Sequence, residues 1–229
     1  MIIRHPVPLL TKETKPLLLT KRNTCLVCVD MHNPFSDRNG LLAQRIKAKV
    51  LDREFDEYFH LLRLITPNIP RVLDACRSLG VSVAYSCLGY KKGEKPSEFQ
   101  KATGWEWDLD GPLGGFPHAW RPLPDEPVFS KPAWSALANP KFERWLKDNK
   151  FNNVVLMGCY FDFGVRQTAM ELNDRGVSSL VITDCSAGTT QFGHDYTFDS
   201  ISQGLIKLRY TGELLGLFDV MKQQGKVLV

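Results

Sequence analysis

The order and character of the apolar segments predict a three-layer α-β-α sandwich built on a mostly parallel sheet of about six strands. Three observations carry that prediction. The segments with strand character, TCLVCV at 24–29, VVLM at 154–157 and SSLVIT at 178–183, are runs of apolar residues without strict alternation, as expected of strands covered on both faces. Helix-patterned segments separate them, so that each strand returns to the same sheet through a crossover. The runs stop on an acid or a glycine, at Asp30, Gly158 and Asp184, which places those residues at the carboxyl edge where open α/β sheets bind ligands.

In chain order, residues 1–22 contain three prolines and no sustained periodicity. They read as an extended N-terminal arm, packed on the surface or on a partner subunit, ahead of one domain over 23–229. The first strand runs from Thr24 to Asp30, residues 31–40 are turn chemistry, and 41–65 has the spacing of one exposed helix or a pair. Pro67 and Pro70 bracket the entry to a helix over Arg71–Leu79 that Gly80 closes, and VSVAYSC at 81–87 is the next strand. Residues 88–127 are irregular, with a lysine-rich turn (Lys91, Lys92, Lys95) and then a stretch rich in Gly, Pro and Trp. A connection of that length inside one domain is expected to wall a site or form an interface. A short strand ends at Lys131, and Asn139 caps a helix over 140–149.

The strand at 154–157 enters a glycine-bounded turn, Gly158 to Gly164, followed by a helix that ends at Gly176 and has Asp162 available as its cap. The unpaired N–H groups of such a turn and helix start can hold an anion or a polarised carbonyl. A strand over 178–184, a helix starting near Phe198 that includes Ser200–Gln203, and a last strand and helix within 205–218 complete the pattern.

Composition narrows the function. Apolar residues make up 43% and charged residues 24%, and the net charge of +4 is spread along the chain without a basic stripe, so no nucleic-acid partner is expected. No apolar run is long enough to span a bilayer and the first residues lack the continuous apolar core of a signal peptide, which points to no membrane association and a cytoplasmic location. Six cysteines (25, 28, 76, 87, 159 and 185) lie mostly in apolar stretches and read as buried, reduced thiols. Cys25 and Cys28 form a CxxC inside a strand, where that separation turns them to opposite faces.

GCYFDFG is not GxGxxG and no GKS or GKT follows a glycine loop, so no nucleotide cofactor is expected. The five histidines (5, 32, 60, 118, 194) show no metal-ligand spacing, and no metal is expected. What remains at the strand ends is Asp30, Lys131 and the N–H groups of the turn from Tyr160 to Gly164: a carboxylate and an ammonium suited to acid/base and electrostatic work.

Three motifs then carry a resemblance. Asp30 stands in DMHNPF, Lys131 in KPAWSA, and Gly158 to Ala169 read GCYFDFGVRQTA. Their order and contexts resemble the isochorismatase-like (cysteine hydrolase) superfamily over roughly Cys25 to Phe218, with its acid near DMQNDF, its lysine near KxxxSAF and its turn G-x-x-T-x-x-C-V-x-x-T-A. The resemblance implies a hydrolase of a small planar or cyclic metabolite, no cofactor, and an assembly of two or more copies. It makes Asp30 and Lys131 the catalytic pair. At the position of the family's nucleophilic cysteine this chain has Gly164, as the family's vinyl-ether hydrolases do, so the implied reaction is independent of a thiol, with Asp30 as general acid and Lys131 as its electrostatic partner. Phe35, Trp134, Tyr160 and Phe161 flank the motifs and are expected to line the substrate site with Gly164. Leu88 and Asp162 stand where isochorismatases carry Gln and His, which leaves the substrate open. Two other readings stay open: a catalytically silent member that binds a ligand or assembles with partners, and an amide hydrolase using a nucleophile such as Cys159. Trp105, Trp107 and Trp120 close the pocket or pack an interface.

Overall fold

A strand whose two faces are both apolar needs a core on each side, and the chain supplies both. The computed structural model describes residues 16–49, 51–202 and 206–229. In order these form β1 (Leu18–Leu19), β2 (Thr24–Val29), α1 (Asn33–Ser36), α2 (Leu41–Lys47), α3 (Asp52–Ile65), α4 (Asn68–Leu79), β3 (Ser82–Leu88), α5 (Glu98–Thr103), β4 (Val128–Lys131), α6 (Pro140–Asp148), β5 (Asn153–Cys159), α7 (Arg166–Asp174), β6 (Ser178–Ala187), α8 (Gln191–Ser202), β7 (Lys207–Arg209), α9 (Thr211–Gln224) and β8 (Val227–Leu228). The main sheet has six strands in the order β4-β3-β2-β5-β6-β7, and every pair in it is parallel.

Successive side chains of the central strands alternate between the two cores. Leu26, Cys28, Val155 and Met157 join α3, α4 and α9 on one face, where Phe59, Leu73 and Phe218 pack. Cys25, Val27, Val154 and Leu156 join α6, α7 and α8 on the other, where Phe142, Leu172 and Ile201 pack. Cys25 and Cys28 thus lie in different cores, and all six cysteines are buried free thiols.

Several boundaries differ from the sequence reading. Of the expected arm, residues 1–15 lie outside the described residues, and Leu18–Leu19 pair antiparallel with Val227–Leu228. Helix α4 starts at Asn68, with Pro70 inside its first turn, where the missing N–H has no intrahelical partner to lose. The 88–127 connection contains α5, opened by a capping box in which Ser97 Oγ accepts from Gln100 N and Ser97 N donates to the Gln100 side chain. Strand β6 passes the expected end at Asp184 and runs to Ala187, with a register shift against β5. Asp184 Oδ1 accepts from Thr211 N at 2.7 Å and Thr211 Oγ1 at 2.8 Å, holding the start of α9. Helix α8 begins at Gln191, seven residues before the expected Phe198, and Gln203 lies outside the described residues.

Candidate active site

The end of β2 is the origin of the site. Asp30 adopts a left-handed backbone conformation, φ 52°, which turns the chain off the sheet while its N–H still donates to Ser86 O at 2.9 Å. Its carboxylate then occupies the space that a longer β2 would fill. Oδ1 accepts from Leu88 N at 2.7 Å, and Oδ2 lies 2.7 Å from Lys131 Nζ. The second contact is a close ion pair. Both side chains are 0% exposed. Lys131 is delivered by register, since β4 pairs with β3 and sets Lys131 beside Leu88. Its ammonium also donates to Trp134 O at 2.7 Å.

The third segment comes from β5. Gly158 has φ 134° and a Cβ there would lie 2.0 Å from Val29 O, so only glycine lets β5 press this closely on β2. The chain then makes one wide turn, Phe161–Val165, before α7 begins at Arg166. Gly164 faces the acid directly: a Cβ at that position would be 2.9 Å from Asp30 Oδ2 and 3.1 Å from Val29 Cγ1. Thr168 fixes the turn against the lysine loop, because its Oγ1 donates to Gly164 O at 2.7 Å and accepts from Ala136 N at 3.0 Å.

One expectation for the turn is corrected. Asp162 does not cap the following helix; it accepts from the N–H of Thr189 at 3.0 Å and from its hydroxyl. Within the turn the Phe163 N–H donates to Tyr160 O at 3.2 Å, as does the Val165 N–H just beyond it at 3.1 Å.

The aromatic residues divide. Phe35 is buried at the centre of a cluster with Tyr160 (5.2 Å between centroids), Trp105 (5.9 Å) and Trp107 (6.3 Å). The Trp134 ring centroid lies 5.9 Å from Lys131 Nζ, and the ring stacks on Phe163, itself 43% exposed, at 5.0 Å. Phe161, expected beside them, packs in the opposite core against His194 at 4.9 Å. The reason is local: Tyr160 is extended, so its side chain and the next point to opposite sides of the sheet. Trp107 and Trp120 are buried in the Phe35 core, and Trp120 Nε1 donates to Met31 O at 2.8 Å.

Burial raises the Asp30 carboxyl above its ordinary value, and this desolvation outweighs the lowering by Lys131 and by the Leu88 N–H. The neighbouring groups are neutral: burial pushes the Cys159 thiol up to about 12 and raises Tyr58, Tyr160 and Cys87. Burial also takes His32 down to about 3. His32, which the sequence reading passed over, has Nε2 3.1 Å from Leu88 O; a carbonyl only accepts, so Nε2 carries the proton. Among the described residues no group of three or more His, Cys, Asp or Glu side chains is placed to hold a metal ion, and no helix is long and apolar enough to cross a membrane.

A family model described as an isochorismatase domain matches residues 24–211, an interval that contains Asp30, Lys131 and Gly164. A cysteine hydrolase from Pseudomonas syringae pv. phaseolicola superposes with TM-score 0.73 at 16% identity, covering 90% of this chain and 99% of that one. An isochorismatase family protein from Desulfovibrio vulgaris subsp. vulgaris gives 0.68 at 18% identity, covering 87% and 98%. N-carbamoylsarcosine amidase from Thermoplasma acidophilum gives 0.60 at 20% identity, covering 82% and 96%. At these identities the solved structures speak for the shared fold.

Proposed function

Because the chain belongs to the isochorismatase family, we propose that it is a thiol-independent hydrolase of a small planar or cyclic metabolite, with Asp30 as general acid and Lys131 as its electrostatic partner. The observation that carries this reading is the fully buried Asp30–Lys131 pair facing Gly164. We place Gly164 at the position of the nucleophile in the family's cysteine hydrolases; with no side chain there, the reacting group nearest a bound substrate is the Asp30 carboxyl. Burial favours its protonated form, which is what a general acid needs.

The chemistry that suits these groups is enol-ether hydrolysis. Protonated Asp30 gives its proton to the terminal carbon of the C=C–O unit, leaving an oxocarbenium ion and the Asp30 carboxylate. Water adds to the cation and returns a proton to the carboxylate; the hemiketal then splits into a ketone and an alcohol. The Lys131 ammonium, 2.7 Å from Oδ2, stabilises the state in which the carboxylate is charged. Phe35, Trp134 and Tyr160 supply the apolar wall. Both catalytic side chains are 0% exposed, and beyond the Trp134 ring Phe163 meets solvent at 43% exposure.

Hydrolysis through Cys159 is the weaker reading on a specific observation. Its thiol, raised to about 12 and lying against the Tyr58 hydroxyl, holds almost no thiolate at neutral pH. The test is turnover of isochorismate, a panel of enol ethers and a panel of primary amides, followed by mass spectrometry, in the native chain, Asp30→Asn and Cys159→Ser. An enol-ether product that falls by about 10²–10⁴-fold in Asp30→Asn and survives in Cys159→Ser supports the reading. Amide turnover lost in Cys159→Ser would overturn it. If no compound turns over, the site is left as a binding pocket, the silent-member reading.

A further inference from the structure

His32 is fully buried, is two residues from Asp30 and has no part in the reaction above. Its contacts explain why a histidine is there. Strand β2 ends at Val29, which pairs with Ser86, while β3 continues to Leu88. The backbone groups of Leu88 that face β2 therefore have no strand to bond, and buried backbone groups need partners. Side chains replace the missing strand: Asp30 Oδ1 takes the Leu88 N–H at 2.7 Å, and His32 Nε2 donates to the Leu88 carbonyl at 3.1 Å.

We infer that His32 is a positioning residue for Asp30: its imidazole fixes the end of β3 at Leu88, and Leu88 in turn fixes the carboxylate that faces Lys131 and Gly164. The inference rests on the reading of Asp30 as the working acid. The remaining surroundings of the ring keep it in that role. Among the described residues His32 Nδ1 has no hydrogen-bond partner, and the Phe35 and Phe116 rings lie at 5.2 and 6.2 Å. An Nδ1–H would find no acceptor among them, so the neutral imidazole keeps its N–H on Nε2.

The titration of Asp30 reads this out. The titratable groups that act on it are Lys131, Cys87, Cys159, Tyr58 and Tyr160, with His32 on the other side of Leu88; the thiols and phenols are held neutral by burial, so a carboxyl titration reports the Asp30–Lys131 pair. His32→Leu keeps the site apolar and removes the donor, loosening Leu88 and weakening the N–H bond that favours the charged carboxylate. His32→Gln keeps a donor.

The experiment is infrared titration of the protonated carboxyl band in the native chain, His32→Leu and His32→Gln, with Asp30→Asn to assign the band, together with ¹⁵N NMR of the histidine tautomer in the native chain. We expect the Nε2–H tautomer of His32 to persist through the acid range to about pH 3. Asp30 should titrate about one unit higher in His32→Leu and return to the native value in His32→Gln. An Nδ1–H tautomer, or a His32 titrating at its ordinary 6.5, overturns the inference; so does an Asp30 titration unchanged in a folded His32→Leu. If His32→Leu fails to fold, the native tautomer and the His32→Gln titration decide alone, a displaced titration in His32→Gln counting against. No substrate is needed, so failure of the hydrolase reading leaves this test standing.

Discussion

At the residue scale the site is a contest between burial and charge. Asp30 and His32 are both buried and are shifted in opposite directions, with opposite consequences for stability. The folded Asp30 carboxyl is raised above its ordinary 3.8, so the native state binds its proton more readily than the unfolded chain. Its contribution to stability is full below pH 3.8 and is lost as pH rises through the folded value. His32 is lowered from 6.5 to about 3; its contribution is present above pH 6.5 and is lost as pH falls toward 3. Between pH 7 and pH 4 the His32 share of the loss is about 3 kcal/mol. Urea unfolding at these two pH values should therefore show an acid loss smaller by about that amount in His32→Gln than in the native chain. His194, lowered by burial in the same sense, stays in both proteins and keeps some acid loss in the variant. An equal loss in the two proteins would mean that His32 titrates normally.

At the element scale, glycines and one threonine hold the three site segments together. Gly158→Ala puts a methyl 2.0 Å from Val29 O on a backbone of φ 134°, and the β2–β5 pairing has to open to admit it. Gly176 also has positive φ, 75°, but a Cβ there meets nothing within 4 Å. Gly176→Ala should thus cost only the conformational penalty of about 1–2 kcal/mol, and Gly158→Ala at least about 3 kcal/mol, in urea unfolding. Thr168→Val tests the clasp between the Lys131 loop and the Gly164 turn. Removing its hydroxyl leaves Ala136 N and Gly164 O without that partner, at about 1–3 kcal/mol. Turnover should fall further than this stability loss explains, because the loop carrying Trp134 is released from the turn.

This is also the scale at which the sequence stops being readable. Asp30 and Lys131 were legible because each ends a strand-like run, and a strand end in a parallel sheet has a known destination. Gly158 and Gly164 were legible as turn bounds. His32 was not, because its reason for being there is the carbonyl of Leu88, 56 residues away in sequence. Phe161 looked equivalent to Tyr160 in a row of aromatics, and only the extended backbone at Tyr160 sends the two to different cores. In the first turn of helix α8 Gly193 makes room for the Asp162 carboxylate, 2.5 Å from where its Cβ would be, a packing reason that the local pattern does not carry. The opening of α5 did carry a readable sign, Ser97 and Gln100 in S-x-x-Q spacing, hidden by the shortness of the helix.

At the scale of the whole molecule, the strand order gathers residues from distant parts of the chain on the middle of one sheet edge, and the two cores clamp that edge from both sides. The chain's described ends close the same structure. Leu17 and Val229 exchange two backbone hydrogen bonds, at 3.0 and 2.9 Å, and the β1–β8 ribbon buries Leu17, Leu19 and Val227 in the core that also contains Phe35 and Tyr160. That shared core ties the ribbon to the aromatic cluster. Val227→Asp sets a carboxylate into that apolar core, a change expected to cost about 3 kcal/mol or more, on the order of other buried charges. If the core is continuous, urea unfolding followed by tryptophan fluorescence and by far-UV circular dichroism should shift to lower denaturant together, since Trp107 and Trp120 share the cluster with Val227. A fluorescence transition that stays at its native midpoint while the circular dichroism moves would show that the ribbon melts as a separate piece, and that the aromatic wall of the site does not depend on it.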